Sequence, residues 1–361
     1  VQDRLDWGAM RMDPTDLADV TGYSFLVNGK APERNETFLF RKGERIRLRL
    51  INGAAMTFFD VRIPGLKMTV VAADGNDVNP VPVDELRIGV AERYDVIVEP
   101  KEDMPYTLFA ESIDRAGYAR ATLATSEGEA GPIPERRPRA LLSMADMGMA
   151  HEGHDMGAMD SGSTDSGTTN AGAMDHSTMD HSAMGHASAS NVAETDAPET
   201  GPVGWASGFP PDAKVLAYSD LRALRPNVDN SEPTRTIEMR LTGNMERYVW
   251  TLDDARLAEA RPVRVRYGER VRLTFVNETM MAHPMHLHGM FVELENGETD
   301  RRPLKHVVIV PPGKEVSVLL TADEPGDWPF HCHLMYHMAS GMMTRFIVER
   351  PTADASRKGR A

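Results

Sequence analysis

The chain contains a single cysteine, Cys332, which lies between two histidines and offers a thiolate ligand for a metal ion. His337 and Met342 follow shortly after it, and His283 belongs to a second histidine-rich run upstream. A thiolate, imidazole nitrogens and a thioether are soft ligands, and such a set suits copper better than it suits hard cations. Two histidines, one cysteine and a weak axial methionine describe a blue-copper electron-transfer site. We therefore predict that these four residues bind one copper ion.

The neighbouring histidines have the spacing of a second metal site. In a β-strand, residues i and i+2 face the same side of the sheet. His286 and His288 are thus expected to point together, as are His331 and His333, while Cys332 points to the opposite side. This arrangement predicts that the His-Cys-His run contacts two metal sites and provides a short covalent route for electrons between them.

Two alternatives compete with this interpretation. Zinc binds many clusters of cysteine and histidine, and a lone cysteine is commonly a small buried hydrophobic residue. Met342 favours copper, because a methionine thioether is a typical weak axial ligand of that metal. His306 lies alone in an apolar segment, and we interpret it as a structural residue rather than a ligand.

Length and composition are those of an ordinary globular protein of two or three domains, with 361 residues of which 41% are hydrophobic. The formal net charge of −14 argues against a nucleic-acid partner. No apolar run approaches the roughly 20 residues that span a bilayer, so no membrane span is expected. The chain begins at Val1 and carries no signal peptide, which predicts a processed or truncated N-terminus.

Two parts of the chain show short strand patterns separated by turn residues. Residues 20–140 contain alternating apolar and polar positions beside the turn pairs Asn28-Gly29 and Asn52-Gly53. Residues 205–350 return to this pattern and contain both histidine runs. No long stretch of helical periodicity competes, so we predict an all-β protein of two sandwich domains. The first part has no histidine or cysteine, and we expect it to be a structural domain.

Residues 141–204 differ in composition from both of these parts. Ser, Gly, Ala, Asp, Thr and Met dominate, and the stretch contains no Lys or Arg. It buries too little apolar surface to offset the entropy of ordering, so we predict a disordered Met/His-rich linker. Thioethers prefer Cu(I), which predicts accessory Cu(I) binding by an imperfect repeat containing Met174, His176, Met179, His181, Met184 and His186. The alternative is a solvated spacer whose methionines are incidental.

The two histidine runs resemble the C-terminal copper signatures of the multicopper oxidases: His-Pro-Met-His-Leu-His over 283–288, and His-Cys-His-Leu-Met-Tyr-His over 331–337. Residues 70–75 and 91–96 resemble the copper-free middle domain of that family. The Met/His-rich insertion and the pair His337-Met338 point to the bacterial copper-resistance oxidases, which are periplasmic. The resemblance implies Greek-key cupredoxin-like domains.

The resemblance also implies domain limits and metal ligands. The implied parts are an inter-domain linker (1–19), a copper-free middle domain (20–140), the Met/His-rich linker (141–204), a C-terminal copper domain (205–350) and a disordered tail (351–361). The implied ligands are His283, Cys332, His337 and Met342 for type 1 copper, His286 for type 2 copper, and His288, His331 and His333 for type 3 copper. The resemblance further implies that Cys332, His331 and His333 are the catalytic residues, since electrons would cross them between the sites.

The chain departs from the family pattern in its number of histidine pairs. The trinuclear cluster of the family needs four His-x-His pairs, and this chain has two. The other two belong to an N-terminal cupredoxin domain that this sequence lacks, so we expect the chain alone to be inactive as an oxidase. A carboxylate that relays protons to oxygen in many relatives is also missing, since Met335, Met338, Ala339 and Ser340 occupy that stretch.

The expected function is that of the C-terminal part of a copper-resistance oxidase. Type 1 copper would take electrons from Cu(I) or small phenols and pass them to a trinuclear cluster that reduces dioxygen to water. The alternative is a copper-sequestering or one-electron transfer protein whose type 1 site is not linked to oxygen chemistry. Upstream histidine pairs would favour the first function, and a signal peptide directly before Val1 would favour the second.

Overall fold

The structure is a computed structural model that describes residues 22–139, 208–244 and 247–350, together with Leu17, Ala18, Val20 and Trp205. The predicted 1–19 linker, the Met/His-rich linker and the 351–361 tail therefore lie wholly or largely outside the described residues. Nearly all regular structure is β, which confirms the predicted all-β fold class. No helix in the part of the chain that is described is long or apolar enough to cross a membrane.

The first sandwich contains nine strands: β1 (Glu36–Leu39), β2 (Ile46–Ile51), β3 (Phe59–Arg62), β4 (Met68–Ala73), β5 (Asn76–Val83), β6 (Glu85–Ile88), β7 (Arg93–Val98), β8 (Tyr106–Ser112) and β9 (Tyr118–Ala124). They form a sheet in the order β1-β9-β8-β3-β6 and a second sheet in the order β2-β7-β4-β5. Strand β7 shows why the sequence folds this way, because Tyr94, Val96 and Val98 are buried while the residues between them are only half-buried.

Among the described residues, the second sandwich contains the remaining strands and one short α-helix: β10 (Arg235–Asn244), β11 (Val249–Leu252), β12 (Val263–Arg266), β13 (Arg270–Asn277), β14 (His283–Leu287), β15 (Val292–Leu294), β16 (Leu304–Lys305), β17 (Val307–Val310), β18 (Glu315–Thr321), β19 (Gly326–Cys332), α1 (Met335–Ser340) and β20 (Met343–Glu349). One sheet has the order β11-β10-β13-β18-β15-β16, and the other has the order β12-β20-β19-β14-β17. The second sheet carries both histidine runs on neighbouring strands.

The two predicted turn pairs have different structures. Asn28 and Gly29 have positive φ angles of 49° and 77° and join Val27 to Lys30 through paired backbone hydrogen bonds, as expected for an Asn-Gly hairpin turn. Asn52-Gly53 is not such a turn. The side-chain amide of Asn52 is buried and donates to the carbonyls of Thr57 and Ile88, so this asparagine stabilises a longer loop instead.

A buried ion network joins the two sandwiches. Lys305 of the second sandwich places Nζ 3.1 Å from Asp74 Oδ2 and 3.0 Å from Glu92 Oε1 of the first, and all three side chains are fully buried. Tyr94 and Tyr218 donate their hydroxyls to the same Glu92 oxygen, at 3.1 and 2.7 Å. Buried charges are costly unless they are paired and hydrogen-bonded. This network therefore favours the packing of the two sandwiches in which Lys305 meets both carboxylates.

A second polar cluster lies on strand β6 and holds two segments that are distant in sequence. Arg137 makes a two-pronged ion pair with Glu85, with distances of 2.7 and 2.5 Å. Arg87 donates to the backbone carbonyl of Trp205 and lies over the rings of Trp205 and Phe209. The guanidinium of Arg137 also lies over the Phe209 ring. The chain before and the chain after the Met/His-rich linker are therefore held at the same strand.

Candidate metal centres

Strands β14 and β19 bring the two histidine runs together. They pair in antiparallel register, with Met285 opposite Cys332 and His286 opposite His331. Residues that are directly opposite in such a pair face the same side of the sheet. His286 and His331 therefore lie on one face, and Cys332 lies on the other.

On the Cys332 face, three ligating atoms form a compact triangle. Cys332 Sγ lies 3.7 Å from His283 Nδ1 and 3.9 Å from His337 Nδ1, and the two nitrogens are 3.1 Å apart. A point about 2.1 Å from all three atoms exists, since that is the circumradius of a triangle with these sides, and it matches the roughly 2.0–2.3 Å bonds that such atoms make to a transition-metal ion. All three residues are fully buried. The donor set and its spacing fit a copper ion.

Met342 is held next to this triangle by backbone hydrogen bonds. Its N–H donates to the His337 carbonyl at 3.0 Å, and its carbonyl accepts the Cys332 N–H at 3.1 Å. Its side chain is fully buried. The preceding Gly341 has φ 132°, and a Cβ there would lie 2.8 Å from the Trp250 carbonyl oxygen, so the tight return after α1 requires glycine.

Neighbouring side chains fix the orientation of both imidazoles. Thr279 Oγ1 lies 2.7 Å from Nε2 of His283, and the same hydroxyl lies 2.8 Å from Asn277 Oδ1. A protonated Nε2 that donates to Thr279 leaves Nδ1 free to bind a metal, which is a typical arrangement for a ligand histidine. Trp250 stacks on His337, with ring centroids 3.9 Å apart and planes inclined by 23°. The tryptophan is itself buried and covers the site.

The first sandwich supplies hydrogen-bond acceptors to the N-terminus of α1, the helix that carries His337. The N-cap residue of this helix, Leu334, has no side chain that hydrogen-bonds to the first N–H groups. The Met335 N–H donates instead to the Ala55 carbonyl at 3.0 Å, and the Tyr336 N–H donates to Met56 Sδ at 3.4 Å. Because the first N–H groups of a helix have no partners inside it, these contacts stabilise the helix from the other sandwich.

On the opposite face, the other histidines form a second cluster. The ligating nitrogens of His286, His288 and His331 all lie within 4.8 Å of one another. Nε2 of His288 is 3.0 Å from Nε2 of His331. The His333 ring lies 5.5 Å from those of His286 and His331, measured between centroids. The structure thus brings together all four histidines that the sequence placed on this face.

Backbone carbonyls select the nitrogens that face this cluster. His286 donates from Nδ1 to the His306 carbonyl at 2.7 Å, and His331 donates from Nδ1 to the Cys332 carbonyl at 2.9 Å. A carbonyl oxygen only accepts, so each Nδ1 carries the proton and each Nε2 is available to a metal. The hydrogen bond from His331 to the Cys332 carbonyl links the histidine cluster directly to the residue whose sulfur belongs to the triangle.

Burial keeps these imidazoles neutral, which is the form that binds metals. Burial lowers the pKa of His286 to about 4, against an ordinary value of 6.5. It also lowers the pKa values of His331 and His333. Burial, followed by the neighbouring His337, lowers the pKa of His283 well below its usual range.

We expect the metal-free chain to lose stability as the pH falls from 6.5 to about 4. Unfolded histidine takes up a proton near pH 6.5, whereas folded His286 stays neutral down to about pH 4. The unfolded state therefore binds more protons in this window, and the free energy of unfolding decreases as the pH falls. Urea unfolding of the chain and of His286→Asn tests this. The free energy of unfolding of the variant should decrease less in this window, and its difference from that of the parent should be constant above pH 7. Equal decreases for the two proteins would contradict the lowered pKa of His286.

His306, which we expected to be structural, lies outside both ligand groups among the described residues. Its ring makes an edge-on contact with His286, with centroids 5.2 Å apart, and its carbonyl accepts the His286 hydrogen bond. No pattern in the sequence predicts this contact, because it depends on the pairing of β14 with β17. The six predicted accessory Cu(I) ligands, from Met174 to His186, lie outside the described residues.

Comparisons with known proteins agree on one family. Two models described as "Multicopper oxidase" match residues 9–128 and 230–352. This chain belongs to the multicopper oxidase family. It is 52% identical to copper resistance protein A of Pseudomonas syringae pv. tomato over 97% of its length, and 49% identical to copper resistance protein A of Escherichia coli over 97%. The chain spans 64% and 63% of those two relatives.

Solved structures of multicopper oxidases share the fold. A laccase from Botrytis aclada aligns with a TM-score of 0.58 at 18% identity, over 87% of this chain and 53% of the laccase. A multicopper oxidase from Campylobacter jejuni aligns with a TM-score of 0.54 at 17% identity, over 93% of this chain and 59% of that one. These likenesses confirm the predicted cupredoxin-type sandwiches, and copper is the cofactor that the family implies.

Proposed function

We propose that this chain is the electron-accepting part of a copper-resistance multicopper oxidase. One observation carries the proposal: Cys332 belongs to the buried metal triangle, while its neighbours His331 and His333 belong to the opposite histidine cluster. An electron that enters at the triangle thus crosses a single peptide linkage to reach the cluster. The high identity to copper resistance protein A supports copper resistance as the physiological role.

Each ligand has a role in this proposal. Type 1 copper binds His283, Cys332, His337 and Met342, type 2 copper binds His286, and type 3 copper binds His288, His331 and His333. Copper, when bound, carries single electrons by alternating between Cu(II) and Cu(I). The chain contributes the fixed orientation of each imidazole, and Trp250 keeps water from the buried triangle.

The proposal includes the domain limits and the substrate. Residues 20–140 act as a copper-free domain and residues 205–350 as the copper domain, with linkers at 1–19 and 141–204 and a tail at 351–361. Cuprous ion is the proposed electron donor, with small phenols as alternatives, and dioxygen is the final acceptor. The remaining His-x-His pairs come from a further cupredoxin domain of a longer protein that acts in the periplasm. The Met/His repeats collect Cu(I) for the oxidase.

Anaerobic addition of Cu(I) to the Cu(II)-loaded chain tests the function. We expect the blue absorption to disappear as each type 1 Cu(II) accepts one electron, and one added Cu(I) to become Cu(II) for each electron transferred. A chain that lacks residues 144–186 should bleach fully as well, but at higher Cu(I) concentration, because the proposed accessory ligands are absent. Absorption is followed by spectrophotometry and Cu(I) binding by competition with a chromogenic chelator.

Three outcomes would contradict parts of this proposal. Blue absorption that persists with excess Cu(I) would favour a sequestering protein over an oxidase. Unchanged Cu(I) binding in the deletion variant would contradict the role of the repeats. After air is admitted, we expect no sustained oxygen consumption by the chain alone, since it has two His-x-His pairs; continued four-electron turnover would contradict the division of the cluster between domains.

A further inference from the structure

Asp74, a residue of the copper-free sandwich, lies at the junction with the second sandwich. It follows strand β4, is fully buried and has a positive φ of 48°. Its Oδ1 accepts the backbone N–H of Arg93 at 3.0 Å, so the carboxylate is fixed within its own sandwich. Its Oδ2 accepts the N–H groups of His306 and Val307 in the other sandwich, at 3.1 and 3.4 Å.

One residue separates this carboxylate from the histidine cluster. The N–H of His306 donates to Asp74 Oδ2, and the carbonyl of His306 accepts the Nδ1–H of His286 at 2.7 Å. The orientation of the His286 ring therefore depends on a carbonyl whose own residue is held by Asp74. Such an outer partner determines which ring nitrogen faces the metal.

Lys305 strengthens this connection by electrostatic attraction. Its ammonium lies 3.1 Å from Asp74 Oδ2, the same oxygen that accepts the two backbone N–H groups. Glu92 is bound by the same ammonium at 3.0 Å, yet no contact of Glu92 reaches His306 or His286 among the described residues. The two carboxylates are equally buried and share one cation, but of the two it is Asp74 that accepts the N–H of His306, the residue whose carbonyl orients the ligand.

We propose that Asp74 is a positioning residue for the histidine cluster: it holds the His306 carbonyl in place and so keeps Nε2 of His286 facing the metal. The copper-free sandwich thereby determines the geometry of a ligand that it does not itself supply. This inference rests on the proposed role of His286 as a copper ligand, although the orientation of its ring is measurable without metal.

The test compares Asp74→Asn with Glu92→Gln in the full chain. Asparagine cannot accept on both sides, so an NH₂ group faces either the Arg93 N–H or the cluster of donors from Lys305, His306 and Val307. Glu92→Gln removes the same charge from the same lysine without touching His306. Two quantities are measured: the tautomer of His286 by ¹H–¹⁵N NMR of the metal-free, histidine-labelled chain, and the affinity of the second cluster for Cu(II) by titration with electron paramagnetic resonance.

We expect Asp74→Asn to give a mixed His286 tautomer and about tenfold weaker Cu(II) binding at the second cluster, which is the lower end of outer-partner effects on metal sites. Glu92→Gln should retain the Nδ1–H tautomer and the parent affinity. In both variants, the blue absorption of Cys332-bound copper reports that the chain is folded. If Asp74→Asn yields no blue absorption, Asp74→Ala, which removes both acceptors and adds no donor, is measured in its place.

Two results would overturn the inference. One is a parent-like tautomer and affinity in a folded Asp74 variant. The other is an equal change in Glu92→Gln, which would make the effect a general consequence of the lost charge. Failure of the proposed function is distinguishable, because it would be visible in the parent chain as the absence of any Cu(II) bound at the second cluster.

Discussion

Replacing Cys332 with serine should abolish the intense thiolate-to-Cu(II) absorption of the copper-loaded chain. Cys332 is the only thiol in the sequence, and its sulfur lies 3.7 and 3.9 Å from the two buried imidazole nitrogens. A serine hydroxyl is a harder ligand, stays protonated at neutral pH and provides no sulfur electrons for charge transfer. Spectrophotometry of the loaded variant, together with electron paramagnetic resonance, measures the loss.

The fold should survive this change. Serine has nearly the same size as cysteine, and a buried hydroxyl without a good partner costs only about 1–3 kcal/mol. Met335→Leu is the matched control, because this methionine belongs to the same segment but is 51% exposed and outside the ligand set. The copper-loaded Met335→Leu variant should retain the full blue absorption. A serine variant with undiminished blue absorption would show that the thiolate is not the ligand.

Replacing Trp250 with alanine should lower the free energy of unfolding by about 3–5 kcal/mol, as expected for a buried large aromatic residue. Trp250 is 1% exposed and contacts both imidazoles, with ring centroids 3.9 Å from His337 and 5.2 Å from His283. Its loss leaves a cavity directly beside the metal triangle. Urea unfolding of the metal-free chain measures the stability, and binding of azide to the copper-loaded chain measures access to the site.

Tyr267→Ala provides the comparison for this second substitution. Tyr267 is 47% exposed, so its truncation should change the free energy of unfolding by no more than about 0.5 kcal/mol. We expect azide to perturb the spectrum of the copper-loaded Trp250 variant and to leave the Tyr267 variant unchanged. Equal stabilities for the two variants would contradict the packing role of Trp250, and a Trp250 variant whose spectrum is unchanged by azide would contradict its role in covering the site.

Much of the candidate site could be predicted because it depends on local periodicity. The alternation of strand residues placed His331 and Cys332 on opposite faces, and the structure shows the same arrangement. The strand patterns likewise predicted an all-β fold, since alternating burial leaves a period of two in the sequence. Asn28-Gly29 was recognised as a turn for a similar reason, because few dipeptides adopt two consecutive positive φ angles.

The rest depends on contacts between residues that are distant in sequence. Asn52-Gly53 has the composition of a hairpin turn, but tertiary hydrogen bonds from the Asn52 amide determine a different loop. Met56 and Asp74 carry no metal signature, yet one binds the N-terminus of α1 and the other binds the strand beside His286. Neither role follows from local pattern, since each requires knowledge of how the second sandwich packs on the first.

Because two chain segments are attached to β6, the number of residues between them can vary within the family. Arg137 on one side and Trp205 and Phe209 on the other are fixed to the same strand, so the stretch between them leaves and returns at one place. The free energy of closing a loop changes by only about 0.6 kcal/mol for each doubling of its length. The number of the proposed Cu(I)-binding repeats can therefore change with little expected effect on the two attachments at β6.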